Sequence, residues 1–358
     1  MRTTSPMIFP TTNLASLMLL TLTLICWGSW ANMQKYLAKN RWRFELFYFD
    51  FALGVLGCMV IAAYTLGSMN AQELTFQDNL LITGYRKMAF ALGAGVVFNI
   101  GNMLLVAAIA LAGMAASFSI AFGVAAVLGA IFAYAATPHM NPILAFGGMV
   151  LFVAAAAVAA FSYSGATEAF LTKETNKPLR PDPRARNAPI RIGPGRAIIL
   201  SVAAGIFMGL SAPLVDWARE GENGVAPYGI AILFAAGLFG CALVAVPFFI
   251  NFPVQGVPLT AGTYFKGTML QHVFGGFSGL VWGVGALAAW VSVAAPASVQ
   301  AGPALTYAFL EGSAVLAAIW GLLVWKDLAW SSRFRTYTGG ALVLFLMGVG
   351  MVSVAYVK

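Results

Sequence analysis

Charge is what this sequence has least of. Of its 358 residues, 20 are Lys or Arg and 12 are Asp or Glu, 9% together, against 60% apolar residues and a mean hydropathy of +0.84. Soluble domains average ~25% charged residues and ~45–50% apolar ones. So few charges cannot cover a water-facing surface, which excludes soluble enzymes, nucleic-acid binders and disordered hubs. Cysteine and histidine are scarce as well. Cys26, Cys58 and Cys241 all lie inside apolar runs, so neither a disulfide framework nor a zinc site is expected. His139 and His272 are too distant in sequence to form a metal-ligand pattern. No cofactor is expected, and no nucleotide-binding motif is present, so ATP-driven pumping is disfavoured. Gly93-Ala94-Gly95 sits within an apolar run and is no phosphate loop. The alternation of apolar and polar residues that a β-barrel needs is missing too.

What the chain does have is long apolar runs. A helix crossing ~30 Å of hydrocarbon needs about 20 apolar residues. Ten segments meet this, at about 14–37, 44–67, 88–111, 114–136, 141–163, 195–217, 227–250, 267–292, 302–325 and 333–356. The expected fold is an all-α membrane protein of ten transmembrane helices. The first segment is too long for a cleaved secretory signal and is expected to stay in the membrane.

Fifteen of the 20 basic residues fall in connections that follow odd-numbered segments. The positive-inside rule makes those connections cytoplasmic and puts both termini outside. Residues 164–194 are the main non-membrane segment, rich in Pro, Lys and Arg, and are expected as a cytoplasmic loop. Its prolines, Pro178, Pro181, Pro183, Pro189 and Pro194, prevent a regular helix. The expected location is a bacterial inner (plasma) membrane.

The halves of the chain repeat one another. Phe51-Ala52-Leu53-Gly54 and Gly57-Cys58 recur as Phe234-Ala235-Ala236-Gly237 and Gly240-Cys241, at an offset of 183. Ala126-Val127-Leu128 with Ala130-Ile131 recurs as Ala314-Val315-Leu316 with Ala318-Ile319, at an offset of 188. The expected units are residues 14–163 and 195–356, five helices each, flanking the 164–194 loop. An odd number of spans sends the second repeat into the bilayer upside down. Inverted repeats around a central cavity suit alternating access, because each half can adopt the other's conformation.

Three motifs carry a family resemblance. Cys26-Trp27-Gly28-Ser29-Trp30-Ala31-Asn32-Met33-Gln34-Lys35, then Phe98-Asn99-Ile100-Gly101-Asn102, and Trp320-Gly321 with Trp325-Lys326-Asp327 resemble the drug/metabolite transporter superfamily. The nearest likeness is to its glucose/ribose porter, rhamnose transporter and ureide permease branch. That resemblance implies ten helices in two inverted repeats and uptake of a small polar metabolite.

Ionisable groups at the bilayer centre cost ~2.5–3.5 kcal/mol, so each one is a candidate for function. Glu311 lies near the middle of the ninth segment. It reads as a proton carrier, a solute ligand beside Tyr307, or a hydrogen-bonding partner of a neighbouring helix. Asp50 reads as a second proton carrier or, with Glu45, as part of an ion-pair cluster with Arg41 and Arg43. Asn99 and Asn102 share a helix face and offer amide donors and acceptors to a solute. Trp27, Trp30 and Trp282 offer aromatic faces that suit a pyranose or a planar ring. Trp282 is the repeat counterpart of Phe98. Asn32, Gln34 and Lys35 end the first segment as motif or gate residues, and Lys35 also reaches for the surface. Asp216 and His272 are expected at the interface.

These readings converge on a secondary or facilitative transporter that imports a small uncharged polar solute, a sugar first, driven by protons or by the solute gradient alone. A ureide or nucleobase permease and an exporter of drugs or metabolites are the alternatives. The expected partners are the solute, H+ and the lipid bilayer, and no nucleic acid. An enzyme would need clustered His/Asp or Ser/His groups that the sequence does not offer.

Overall fold

The computed structural model describes residues 7–69, 74–137, 139–175 and 193–357. Among the described residues there is no strand, and nine helices are long and apolar enough to cross a membrane. The chain is an all-α, multi-pass membrane protein. Helices satisfy their own backbone groups, which hydrocarbon cannot do.

The elements in chain order are α1 (Asn13–Ser29), continued by α2 (Ala31–Lys39) as one apolar stretch, α3 (Phe44–Thr65), the short α4 (Phe76–Ile82) and α5 (Tyr85–Ala136). Then come α6 (Pro142–Thr175), α7 (Pro194–Arg219), α8 (Pro227–Asn251), α9 (Met269–Val293), α10 (Pro303–Ile319) and α11 (Ser332–Ala355). A 3-10 turn, Ala261–Lys266, precedes α9, and a π turn, Trp320–Val324, ends α10. Local signals set these boundaries. Thr12 accepts from Ala15 N at the start of α1, and Pro opens α7, α8 and α10, where its missing N–H costs nothing.

Helix α5 has 52 residues and is broken at Gly113, whose φ of 83° no other residue type adopts readily. Gly101, before the break, meets Met208 of α7, while Leu128, after it, meets Gly209. A straight helix would hold Gly101 and Leu128 roughly 40 Å apart at 1.5 Å per residue. Their contact with adjacent residues of α7 means that the chain reverses at Gly113 and the two arms lie side by side.

Two connections differ from the sequence expectation. The 68–87 link contains α4, closed by a capping box in which Thr75 and Asp78 satisfy each other's backbone. Helix α6 runs on through residues 164–175, into the segment expected as a loop, because its first proline comes only at Pro178. Residues 176–192, with Pro178, Pro181, Pro183 and Pro189, lie outside the described residues. Pro194, expected to prevent a helix, instead opens α7, where a proline costs nothing.

Glycines bring the helices together. A Cβ on Gly279 of α9 would collide with the carbonyl of Phe51 and reach Val55 N on α3, and one on Gly54 would collide with the carbonyl of Gly276. The same arrangement joins α8 and α5. There Gly95 abuts the Phe234 carbonyl and Leu238 N, and Gly237 abuts the Leu92 carbonyl. Helices α6 and α11 cross at Gly148 against Val352 and Gly348 against Phe152. Small residues let backbones approach in a solvent that gives apolar packing no advantage of its own.

Candidate functional site

The first assembly lies where α1, α3, α5, α8 and α9 meet. Tyr48 of α3 donates through its hydroxyl to Asn99 Oδ1 at 3.1 Å and accepts from Asn102 Nδ2 at 3.3 Å. Tyr48, Asn99 and Asn102 are fully buried. Gln34 joins the same face of α5 by donating to the Val106 carbonyl at 2.7 Å. Three polar atoms here have no hydrogen-bond partner among the described residues: Asn99 Nδ2, Asn102 Oδ1 and Gln34 Oε1. Buried polar atoms are nearly always satisfied, and orphans ask for a partner such as a ligand or water.

Phe51, one turn beyond Tyr48, ties this polar face to an aromatic wall. Its ring sits 5.3 Å from Tyr48, 4.9 Å from Trp30 and 6.4 Å from Trp282. Trp282 stacks on Trp27 at 6.0 Å and 12°, and Trp27 Nε1 donates to the Trp282 carbonyl at 3.3 Å. Phe98 and Phe234 complete the wall, 4.6 Å and 5.8 Å from Trp282. The structure therefore brings Trp27, Trp30, Asn99, Asn102 and Trp282 together. It adds Tyr48, which sequence reasoning missed, and Phe51 and Phe234, which the sequence marked as repeat positions but not as site residues. A tyrosine at helical spacing from an aromatic core residue and an acid was the available signal.

Tyr307 and Glu311 belong to a second assembly. Glu311 has no hydrogen-bond or ion-pair partner among the described residues, and its Oε1 is the nearest atom to a Cβ built on Gly129, at 4.0 Å. Tyr307 faces Tyr356 at 6.3 Å, with its hydroxyl buried and without a hydrogen-bond partner among the described residues. Tyr356 lies just past the end of α11. Burial first, then the nearby carboxylates of Asp216 and Glu311, push its phenol up to about 12.

Asp50 takes partners other than those expected. Arg43 pairs with Glu45 at 2.5 Å, while Asp50 accepts from the Tyr264 hydroxyl and lies 3.1 Å from His272 Nδ1 through both oxygens. The ion-pair cluster of Asp50 with Arg41 and Arg43 is thus not formed. Glu45 starts the helix next to Arg43, and Asp50 points to the other side, toward α9. His272, expected at the interface, lies in the first turn of α9 and is part of this contact. Burial and the Asp50 hydrogen bond hold the Tyr264 phenol well above its ordinary range.

The end of α2 closes against the end of α10. Lys35 Nζ meets Asp327 Oδ1 at 2.7 Å, and Asp327 Oδ2 accepts from Ala115 N at 3.1 Å, beside the Gly113 reversal. Trp325 Nε1 donates to Asn32 Oδ1 at 2.6 Å, and Trp320 Nε1 donates to Ser29 Oγ at 3.1 Å. Lys326 and Leu328, on either side of Asp327, have φ of 54° and 47°. Two non-glycine residues in this region cost energy that the surrounding contacts must offset. Asn32 and Lys35 therefore sit in a latch, while Gln34 faces the amides.

A cavity of about 10 Å³ between α5, α6, α10 and α11, lined by Phe118, Ala155, Val315 and Phe345, has room for no more than about one water. It is not a solute site. Among the described residues no group of three or more His, Cys, Asp or Glu could hold a metal ion. Comparison with protein-family models, curated proteins and solved structures returns no match.

Proposed function

We propose that this protein is a membrane transporter of a small uncharged polar solute, a sugar in the first instance, working by alternating access. The observation that carries the reading is the buried Tyr48–Asn99–Asn102–Gln34 face. It offers one orphan donor and two orphan acceptors beside an aromatic wall. A polyol presents both donors and acceptors, and its C–H faces stack on indoles. Glu311 and Asp50 are the proposed proton carriers, and the solute gradient alone is the other driving force.

In this reading α5 counts as two spans, making ten, and the chain forms two inverted five-helix repeats. Support comes from contacts that recur at the repeat offset. Phe51, Gly54 and Val55 meet α9 as Phe234, Gly237 and Leu238 meet α5, each pair of positions 183 apart. Their partners Gly279 and Gly276 stand 184 from Gly95 and Leu92. The same architecture agrees with a place in the drug/metabolite transporter superfamily. The proposed orientation puts the Lys35–Asp327 end in the cytoplasm and both termini outside, in a bacterial plasma membrane.

One observation favours a second reading. Trp282 lies within 12° of parallel to Trp27 and 16° of parallel to Phe234, a layered arrangement that suits a flat ureide or nucleobase. Uptake into proteoliposomes from a panel of labelled sugars, ureides, nucleobases and amphipathic drugs, with and without a pH gradient, separates these readings. Sugar uptake supports the first, and ureide or nucleobase uptake the second. Extrusion of drugs alone replaces both, and no movement of any compound ends the transport proposal.

A further inference from the structure

The Lys35–Asp327 latch closes one end of the protein, and the repeat assigns its partner at the other. The register of α1 against α7 follows from paired contacts. Gly28 meets Leu316 as Gly209 meets Leu128, and Gly312 meets Leu24 as Gly205 meets Val124. Gly285 meets Trp27 as Gly101 meets Met208. Tyr36 rests on Phe274 at 5.3 Å, and Trp217 on Phe90 at 5.6 Å. Every pair fits an offset of 181 between α1–α2 and α7, with the partners 188 apart between the second arm of α5 and α10 and 184 apart between its first arm and α9. Lys35, next to the Tyr36 anchor, corresponds to Asp216. The offset of 188, carried eleven residues past Leu316, sets Asp327 against His139, beyond the π turn that ends α10 and the end of the second arm of α5. The two positions keep complementary chemistry, with the acid and the base exchanged.

Their present states differ. The Lys35 and Asp327 side chains are 20% and 6% exposed, and Asp327 is also held by Ala115 N. The Asp216 side chain is 71% exposed, pairs with Arg219 of its own helix at 3.6 Å and has the Tyr356 phenol nearby. His139 is exposed and has no hydrogen-bond or ion-pair partner among the described residues. One latch is made and the other is undone, as alternating access requires of two gates.

We infer that Asp216 and His139 form the gate at the end opposite Lys35–Asp327, engaging by imidazole–carboxylate contact when that latch opens. This inference rests on the inverted-repeat reading above, and its test distinguishes the two. In a background with Cys26, Cys58 and Cys241 replaced by alanine, a His139→Cys/Asp216→Cys pair reports the gate by cross-linking. In a parallel variant, Tyr307→Cys reports access to the Glu311 assembly through labelling by a bulky polar thiol reagent. Each is measured with the latch intact and with Lys35→Ala, and again with Asp327→Asn should Lys35→Ala not fold. Releasing the latch is expected to raise the 139–216 cross-linking rate at least about fivefold and to lower Tyr307→Cys labelling by a similar factor, within the usual span of coupling between sites. Falling labelling without a rise in cross-linking overturns this gate but leaves alternating access standing. No change in either overturns both. A rise in cross-linking without loss of labelling shows that the pair moves without closing the cleft, and overturns the gate.

Discussion

The hydroxyl of Tyr48 bridges two amides of α5, donating to Asn99 and accepting from Asn102 at 3.1 and 3.3 Å. This contact fixes which way each amide points. Asn99 is left with a free donor and Asn102 with a free acceptor, both fully buried. Tyr48→Phe keeps the ring against Phe51 but removes the bridge. The expected result is a loss of ~1–3 kcal/mol in stability, the usual cost of orphaning a buried polar group. Solute affinity is expected to fall about tenfold, which corresponds to ~1.4 kcal/mol. Thermal unfolding in detergent and solute binding check the two effects separately.

The glycine crossings predict a paired pattern of tolerance. Gly95→Val and Gly279→Val each drive a side chain into a neighbouring helix backbone, so both are expected to cost at least about 1–3 kcal/mol. Gly57 and Gly240, also repeat-related, face open space. Alanine there is expected to be neutral or stabilising by up to about 1 kcal/mol, through helix propensity. Fluorescence-detected size exclusion after heating ranks all four variants.

The Lys35–Asp327 contact is buried enough for a lone survivor to be costly. Lys35→Ala leaves Asp327 with only the Ala115 amide, and a loss of ~3 kcal/mol follows when one member of a buried pair is removed. The exchange Lys35→Asp with Asp327→Lys is expected to recover less than half of that loss. A lysine cannot accept from Ala115 N and has no room beside Gly113, where the Asp327 carboxylate now sits. Chemical denaturation of the single and double variants measures the coupling.

Alkaline pH has a defined effect through Tyr356. Its phenol is pushed up to about 12 by burial and by the nearby carboxylates, from an ordinary value of 10.0. Below pH 10 the group is neutral whether the chain is folded or not. Between about 10 and about 12 the unfolded chain gives up the proton and the folded one keeps it. Stability therefore falls as pH rises through that window. Tyr356→Phe is expected to flatten this part of the stability-versus-pH curve, measured by thermal unfolding across the alkaline range.

Much of this arrangement was legible in the sequence, and the exceptions have physical causes. Apolar run length gave the helices because hydrocarbon admits little else. The Phe51–Cys58 and Phe234–Cys241 match marked the positions whose backbone contacts recur in the fold. Trp27, Asn99, Asn102 and Trp282 stood out because large aromatic and amide side chains are conspicuous at mid-span. Tyr48 did not, since its helical spacing from Phe51 and Glu45 marks it only as one residue of α3, and its role depends on the rotation of α3 against α5. The partners of Asp50 were misread for a related reason. Arg43 is close in sequence, but the seven-residue separation sets the two positions about 10 Å apart along the helix axis, and His272 comes from α9, 222 residues away. Lys35 was read as a gate or surface-seeking residue with no named partner, because its acid lies 292 residues on, past the π turn that closes α10.

Entrance counterflow is the most direct test of a carrier built around Tyr48, Asn99 and Asn102. Proteoliposomes preloaded with a high concentration of unlabelled solute are diluted into a trace of the labelled compound. A carrier that exposes one buried site alternately to each side draws label inward transiently above its outside concentration, and Asn99→Leu with normal thermal stability abolishes that overshoot. Label that equilibrates without overshoot, or an overshoot unchanged by Asn99→Leu, contradicts the account.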